Sequence, residues 1–125
     1  MYHLFIVMLF VFICSGCGTV YTSELRANPG FQAQFDVDAG LQTVIKNISG
    51  KRDECKTFGF EHIAILDDLG EARVEYRHTD HTILAFVELK SENNKTSVSI
   101  YASQWVAKRS FDALEQGAKG LPGCP

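Results

Sequence analysis

Hydrophobic and polar positions follow different rhythms along this chain, and each rhythm predicts a different element. Leu4 to Ile13 is an unbroken apolar run of ten, the length of a signal-peptide core and well short of the ~18 to 20 residues that span a bilayer. From Asp36, a good helix N-cap, Val37, Leu41, Val44, Ile45 and Ile48 recur at helical spacing until Ser49-Gly50, which predicts an amphipathic helix. Past Lys51 to Lys56 the pattern turns to strands. Thr57 to Leu66 is a first strand; Ala72 to His78 alternates, with Val74 and Tyr76 on one side and Arg73, Glu75 and Arg77 on the other. Thr82 to Leu89 is the most apolar strand and the expected centre of the sheet, and Thr96 to Ser103 follows. Asp67-Asp68-Leu69-Gly70, Thr79-Asp80 and the polar stretch Ser91 to Lys95 separate them as turns. Ala107, Phe111, Leu114 and Ala118 then form one stripe of a second amphipathic helix, closed by Gly120.

This order predicts an α+β fold: a small single domain over residues 31–125, with an N-terminal helix, a three- to four-stranded antiparallel meander and a C-terminal helix packed on one sheet face. Residues 17–30, polar and broken by Asn28-Pro29-Gly30, read as a tether. Composition sharpens the division. Residues 1–16 hold none of the 12 basic and 15 acidic residues, so they read as a leader, and what remains suffices for one domain and not two. The net charge is −3 and the Lys and Arg residues are scattered, so the chain lacks the basic footprint that neutralises a phosphate backbone, and nucleic acid is excluded as a partner.

The apolar run ends at Cys14-Ser15-Gly16-Cys17, which resembles the lipobox of bacterial lipoproteins. The resemblance covers residues 1 to about 20. It implies that Cys17 receives a thioether-linked diacylglycerol, that the leader is cut just before it, and that the new amino group is acylated. Two or more acyl chains give stable anchoring where one is marginal. Gly18, rather than Asp, follows Cys17; in the enterobacterial lipoproteins it resembles, this implies delivery to the outer membrane, facing the periplasm. Three other readings stay open: a Cys-x-x-Cys redox pair, which calls for a thioredoxin-like strand and helix not visible here; ordinary signal-peptidase cleavage after Gly16, leaving Cys17 unlipidated; and an uncleaved leader, which would have to span with too few apolar residues.

With Cys14 lost in the leader and Cys17 lipidated, Cys55 and Cys124 remain, and an oxidising compartment predicts one disulfide between them. It would close a loop of roughly 70 residues, for which chain entropy gives an upper figure of about 4 kcal/mol. The alternative is a reactive thiol at Cys55, activated by Lys51, Arg52 and Lys56.

The sharpest polar constellation is His78-Thr79-Asp80-His81, with His62 elsewhere on the sheet. Converging imidazoles could ligate Zn²⁺ or Cu²⁺; the plainer reading is a solvated turn, with His62 half-buried and hydrogen-bonded. Asp67, Asp68 and Glu71 lack EF-hand spacing. There is no G-x-S-x-G, P-loop, dinucleotide fingerprint or H-E-x-x-H, so neither an enzyme nor a cofactor is expected. Trp105, beside Tyr101 in sequence terms, is expected to complete the core rather than to anchor an interface. The function expected is a membrane-anchored, non-catalytic interaction or assembly module whose partner is another envelope protein. The alternative is a small-ligand or metal-binding domain, or a hydrolase inhibitor.

Overall fold

A computed structural model describes residues 22–79 and 82–125. The leader, Cys17, Asp80 and His81 lie outside the described residues. Helix α1 (Thr22–Ala27) leads into strand β1 (Phe31–Val37), helix α2 (Leu41–Cys55) and strand β2 (Phe60–Leu66). A 3-10 turn (Asp67–Leu69) joins β2 to β3 (Glu71–Arg77); β4 (Ile83–Glu92), β5 (Lys95–Ala102) and helix α3 (Lys108–Ala118) complete the chain. The sheet order is β1-β5-β4-β3-β2, antiparallel at every pairing. The α+β class stands, and β4 is the central strand, as expected.

The strands number five rather than three or four, and the additional one is β1. Phe31, Ala33, Phe35 and Val37 alternate with Gln32, Gln34 and Asp36, the period-two pattern of a half-buried strand. The strand pairs with β5 from Phe31↔Ala102 to Val37↔Thr96. Asp36 therefore does not cap a helix; its carboxylate accepts a hydrogen bond from Ser97 Oγ at 2.9 Å. Gly40 occupies the N-cap, and α2 runs through Ser49 and Gly50 to Cys55. Leu41, Val44, Ile45 and Ile48 are buried as predicted, joined by Lys51 and Cys55 over the next two turns.

The sheet has two unlike faces. Val74, Tyr76, Ala85, Val87, Val98 and Ile100 point to one side, where Val44, Ile48, Phe111 and Leu114 of α2 and α3 close the core. The two helices cross closely at Gly117, where an added Cβ would lie 2.8 Å from Lys51 Cβ. On the other side a short second cluster joins Leu25 of α1 to Ile83, Phe86 and Tyr101. So residues 22–27 are part of the fold rather than tether: one buried leucine fastens them to the sheet.

The β4–β5 connection is shorter than the loop predicted from Ser91 to Lys95. Both strands run up to a two-residue turn at Asn93 and Asn94, with φ of 53° and 60°, the left-handed pair that matches hairpin twist and that Asn tolerates. At the far end of the chain the expected bond joins Cys55 to Cys124, 69 residues apart. The buried Lys51 ammonium holds the same tail, donating to the carbonyls of Leu121 at 2.7 Å and Gly123 at 2.5 Å. Among the described residues no helix is long and apolar enough to cross a membrane.

Candidate functional site

The face of the sheet away from α2 and α3 carries the densest polar chemistry. Strand alternation brings Arg73, Glu75 and Arg77 of β3 to this side, next to His62 of β2 and to Glu88 and Lys90 of β4. They line a groove of about 690 Å³. Glu75 is its centre, only 8% exposed. Its carboxylate accepts from Arg77 Nη2 at 2.7 Å, with Arg73 Nη1 3.9 Å away on the other side. One carboxylate thus lies between two guanidiniums of its own strand. Arg73 also stands over the Phe86 ring at 5.6 Å, and Phe86 stacks on Tyr101 at 4.9 Å. Arg26 of α1 reaches over the same two rings and pairs with Glu88, while Lys90 lies 3.9 Å from Glu71.

The groove is consequently charge-balanced. Each of these cations has a carboxylate beside it, so the surface suits a polar or zwitterionic contact more than a bare anion. Ser97 and Ser99 of β5 also line the groove, and the Ser97 hydroxyl is held by the Asp36 carboxylate.

The predicted metal residues are placed as follows. His62 is exposed in β2, in register with Glu75; it is not half-buried, because β2 is an edge strand and nothing among the described residues covers this side. His78 follows β3, its backbone N–H donating to Thr82 O at 2.8 Å and its Nδ1 3.2 Å from Thr79 Oγ1. His81 lies outside the described residues, and among those described no three His, Cys, Asp or Glu side chains gather as a metal site. Cys17 is likewise outside. Trp105 departs from expectation: it is 84% exposed, because α3 starts only at Lys108 and the stretch before it is a turn running over the sheet end.

A second feature escaped the sequence reading. The run Thr57 to Leu66 contains a strand, β2, but at the sheet's edge and open on both sides. Phe60 and Leu66 are 58% and 57% exposed on the groove side; Ile63 and Ile65 are 36% and 39% exposed on the helix side. Besides the strand's ladder with β3, Glu61 ties it inward. Its carboxylate accepts from Tyr76 Oη and from Ser49 Oγ, both at 2.8 Å, with Arg52 3.7 Å away. Burial, and then the charge of Glu61, push the Tyr76 phenol above its ordinary value, so it stays a donor. The signal that marks this edge was visible: an apolar run long enough for a central strand, with no helix in sequence spare to cover it. No protein-family model matches the chain, and no curated protein matches it either.

Proposed function

We propose that this chain is a membrane-anchored envelope lipoprotein whose small α+β domain is a non-catalytic interaction or assembly module, held through acylated Cys17 at the outer membrane and facing the periplasm. The observation that carries the interaction half is β2, an edge strand with large apolar side chains exposed on both faces of a domain whose other layers are closed. Two others support the location. The lipobox-like Cys14 to Cys17 ends only a few residues before α1, and the Cys55–Cys124 bond suits an oxidising compartment. With Leu25 packed on the sheet, the span between a lipidated Cys17 and the folded domain is residues 18–21, at most about 3.6 Å per residue. The domain would therefore sit against the headgroups rather than on a long leash.

Cross-linking in intact cells, followed by membrane extraction and mass analysis, tests this reading. Expected are an N-terminal peptide that begins at Cys17 and carries acyl chains, and a stoichiometric adduct joined through peptides of β2. An unmodified Cys17 removes the anchor. An extract with no stoichiometric adduct removes the interaction module.

A second reading, a small-ligand site, is favoured by one observation, the groove around Glu75. Its volume falls in the range of small-molecule pockets, and charged side chains such as Arg73, Glu75 and Arg77 stand among its lining residues.

A further inference from the structure

We propose that Trp105 and Arg109 form a membrane-docking corner, seated in the headgroup layer of the same phospholipid surface that holds acylated Cys17. This names the part of the domain that faces the membrane and rests on the anchored-lipoprotein reading given above.

The turn that carries Trp105 holds its indole outward. The next residue, Val106, is buried, and its N–H donates to Ser103 O at 3.0 Å, while the Trp105 N–H donates to Ser103 Oγ at 3.2 Å. On the other side Gln104 packs so closely on Gly30 that an added Cβ there would run into the Gln104 backbone. Gly30 N–H in turn donates to Ala102 O at 2.8 Å. Trp105 therefore stands exposed on a turn fixed from both sides, not as a side chain free to fold back on the core. A large amphipathic ring held in water gains most at a boundary between polar and apolar phases, and tryptophan collects at the headgroup level of bilayers for that reason.

Two observations select a membrane as the occupant. The first is the route of the chain. Ala27 of α1 is followed directly by Asn28-Pro29-Gly30, so the anchored end of the chain enters the sheet at this corner, where β1 begins and β5 ends. Leu25 packs on Ile83 and Tyr101, which lie in the same half of the sheet. Thr22 is about 9 Å back along α1 at 1.5 Å per residue, and only residues 18–21 separate it from Cys17. The second observation is charge. Among the described residues, the segments that meet here, 28–31, 82–85 and 103–111, contain Lys108 and Arg109 and no carboxylate. Lys108 pairs with Asp112 at 2.9 Å, and exposed Arg109 has no partner among the described residues. The exposed carboxylate on the chain's approach is Glu24 of α1; counted against Arg109, it leaves the corner neutral. The far end of the sheet is acidic, with exposed Asp38, Asp68 and Glu92 around Lys95, which lies 3.9 Å from Asp38. Anionic headgroups therefore repel the far end and accept the corner, where Arg109 is placed to meet a phosphate beside the indole.

Trp105 is the only tryptophan of the chain, so its fluorescence reads this corner alone. The test uses the full chain extracted from membranes and reconstituted into vesicles of phosphatidylcholine with phosphatidylglycerol, with mass analysis of the N-terminal peptide on the same sample. Expected are an emission maximum to the blue of free tryptophan, a loss of emission when the vesicle lipids carry brominated acyl chains, and weaker quenching by aqueous iodide than free tryptophan shows. Arg109→Gln is expected to lessen the bromine quenching, with far-UV dichroism unchanged; equal quenching overturns the role of Arg109. Emission that is shifted but insensitive to brominated lipid means that protein covers the indole, and overturns the proposal. Water-like emission from a chain whose Cys17 carries acyl chains overturns the docking corner while the anchor stands. Water-like emission from a chain with unmodified Cys17 overturns both.

Discussion

The two edges of the sheet make an instructive pair. Strands β1 and β2 have the same length and each pairs antiparallel with a single neighbour. In β1 every second residue is apolar and packed against the core, and Gln32, Gln34 and Asp36 face water. Helix α3 lies against it, with Phe111 stacked on Phe31 at 5.3 Å and Lys119 over the Phe35 ring at 4.8 Å. In β2 the apolar residues occupy both faces, and the helices, gathered over the other strands, leave them uncovered. Two helices gathered over the other strands leave the fifth, at the far edge, uncovered among the described residues. The chain made β1 polar on its outer side and did not do the same for β2.

Substitutions that separate the two edges should differ widely in effect. Phe111→Ala, under β1, removes a buried ring and is expected to cost about 3–5 kcal/mol in urea denaturation; a loss below about 1 kcal/mol would show that β1 is no better packed than β2. Removing the tail's fastening by Cys55→Ser with Cys124→Ser should cost about 2–4 kcal/mol, read from the same denaturation midpoint, without altering the exposure of β2. Tyr76→Phe cuts the bond that ties β2 inward and should cost about 1 kcal/mol. That variant also has a pH signature. Because burial and Glu61 raise the folded phenol's pKa, the folded state holds its proton where the unfolded state loses it, near pH 10. The stabilisation is full below about pH 10 and declines as pH rises beyond it, so wild type should lose stability more steeply than Tyr76→Phe from pH 9.5 to 11, on the order of a tenth of a denaturant unit at first. Equal slopes would remove the phenol from this role. The smallest effect is expected for Ile63→Thr, within about 0.5 kcal/mol for the single chain; a cost of 2 kcal/mol or more there would mean that β2 is buried after all.

Much of the fold was legible because it obeyed one period at a time. The alternation of Arg73 to Arg77, the apolar Thr82 to Leu89 and the stripe of Phe111, Leu114 and Ala118 each matched a single template, and these are the elements that form the core. Cys55 and Cys124 were paired by elimination, and they are bonded. The misses came where two patterns overlapped or a segment was too short to show one. Phe35 and Val37 fit a strand with Phe31 and Ala33, yet Val37 also begins a helical series with Leu41 and Val44, and the longer series hid the strand. Six residues of α1 hold one buried side chain, Leu25, too little for any periodicity. The groove was half legible: alternation placed Arg73, Glu75 and Arg77 together, but their neighbours Glu88 and Phe86 follow from sheet order, which local sequence does not encode. Trp105 was misjudged for the same reason, since its exposure depends on where α3 begins and not on its own type.

Hydrogen exchange of the full chain, read separately for residues 31–37 and 60–66, addresses the contrast between the edges most directly. Residues 31–37, packed under α3, are expected to exchange more slowly than residues 60–66. Equal protection of the two segments, or slower exchange of 60–66, would contradict the account of β2 as the uncovered edge.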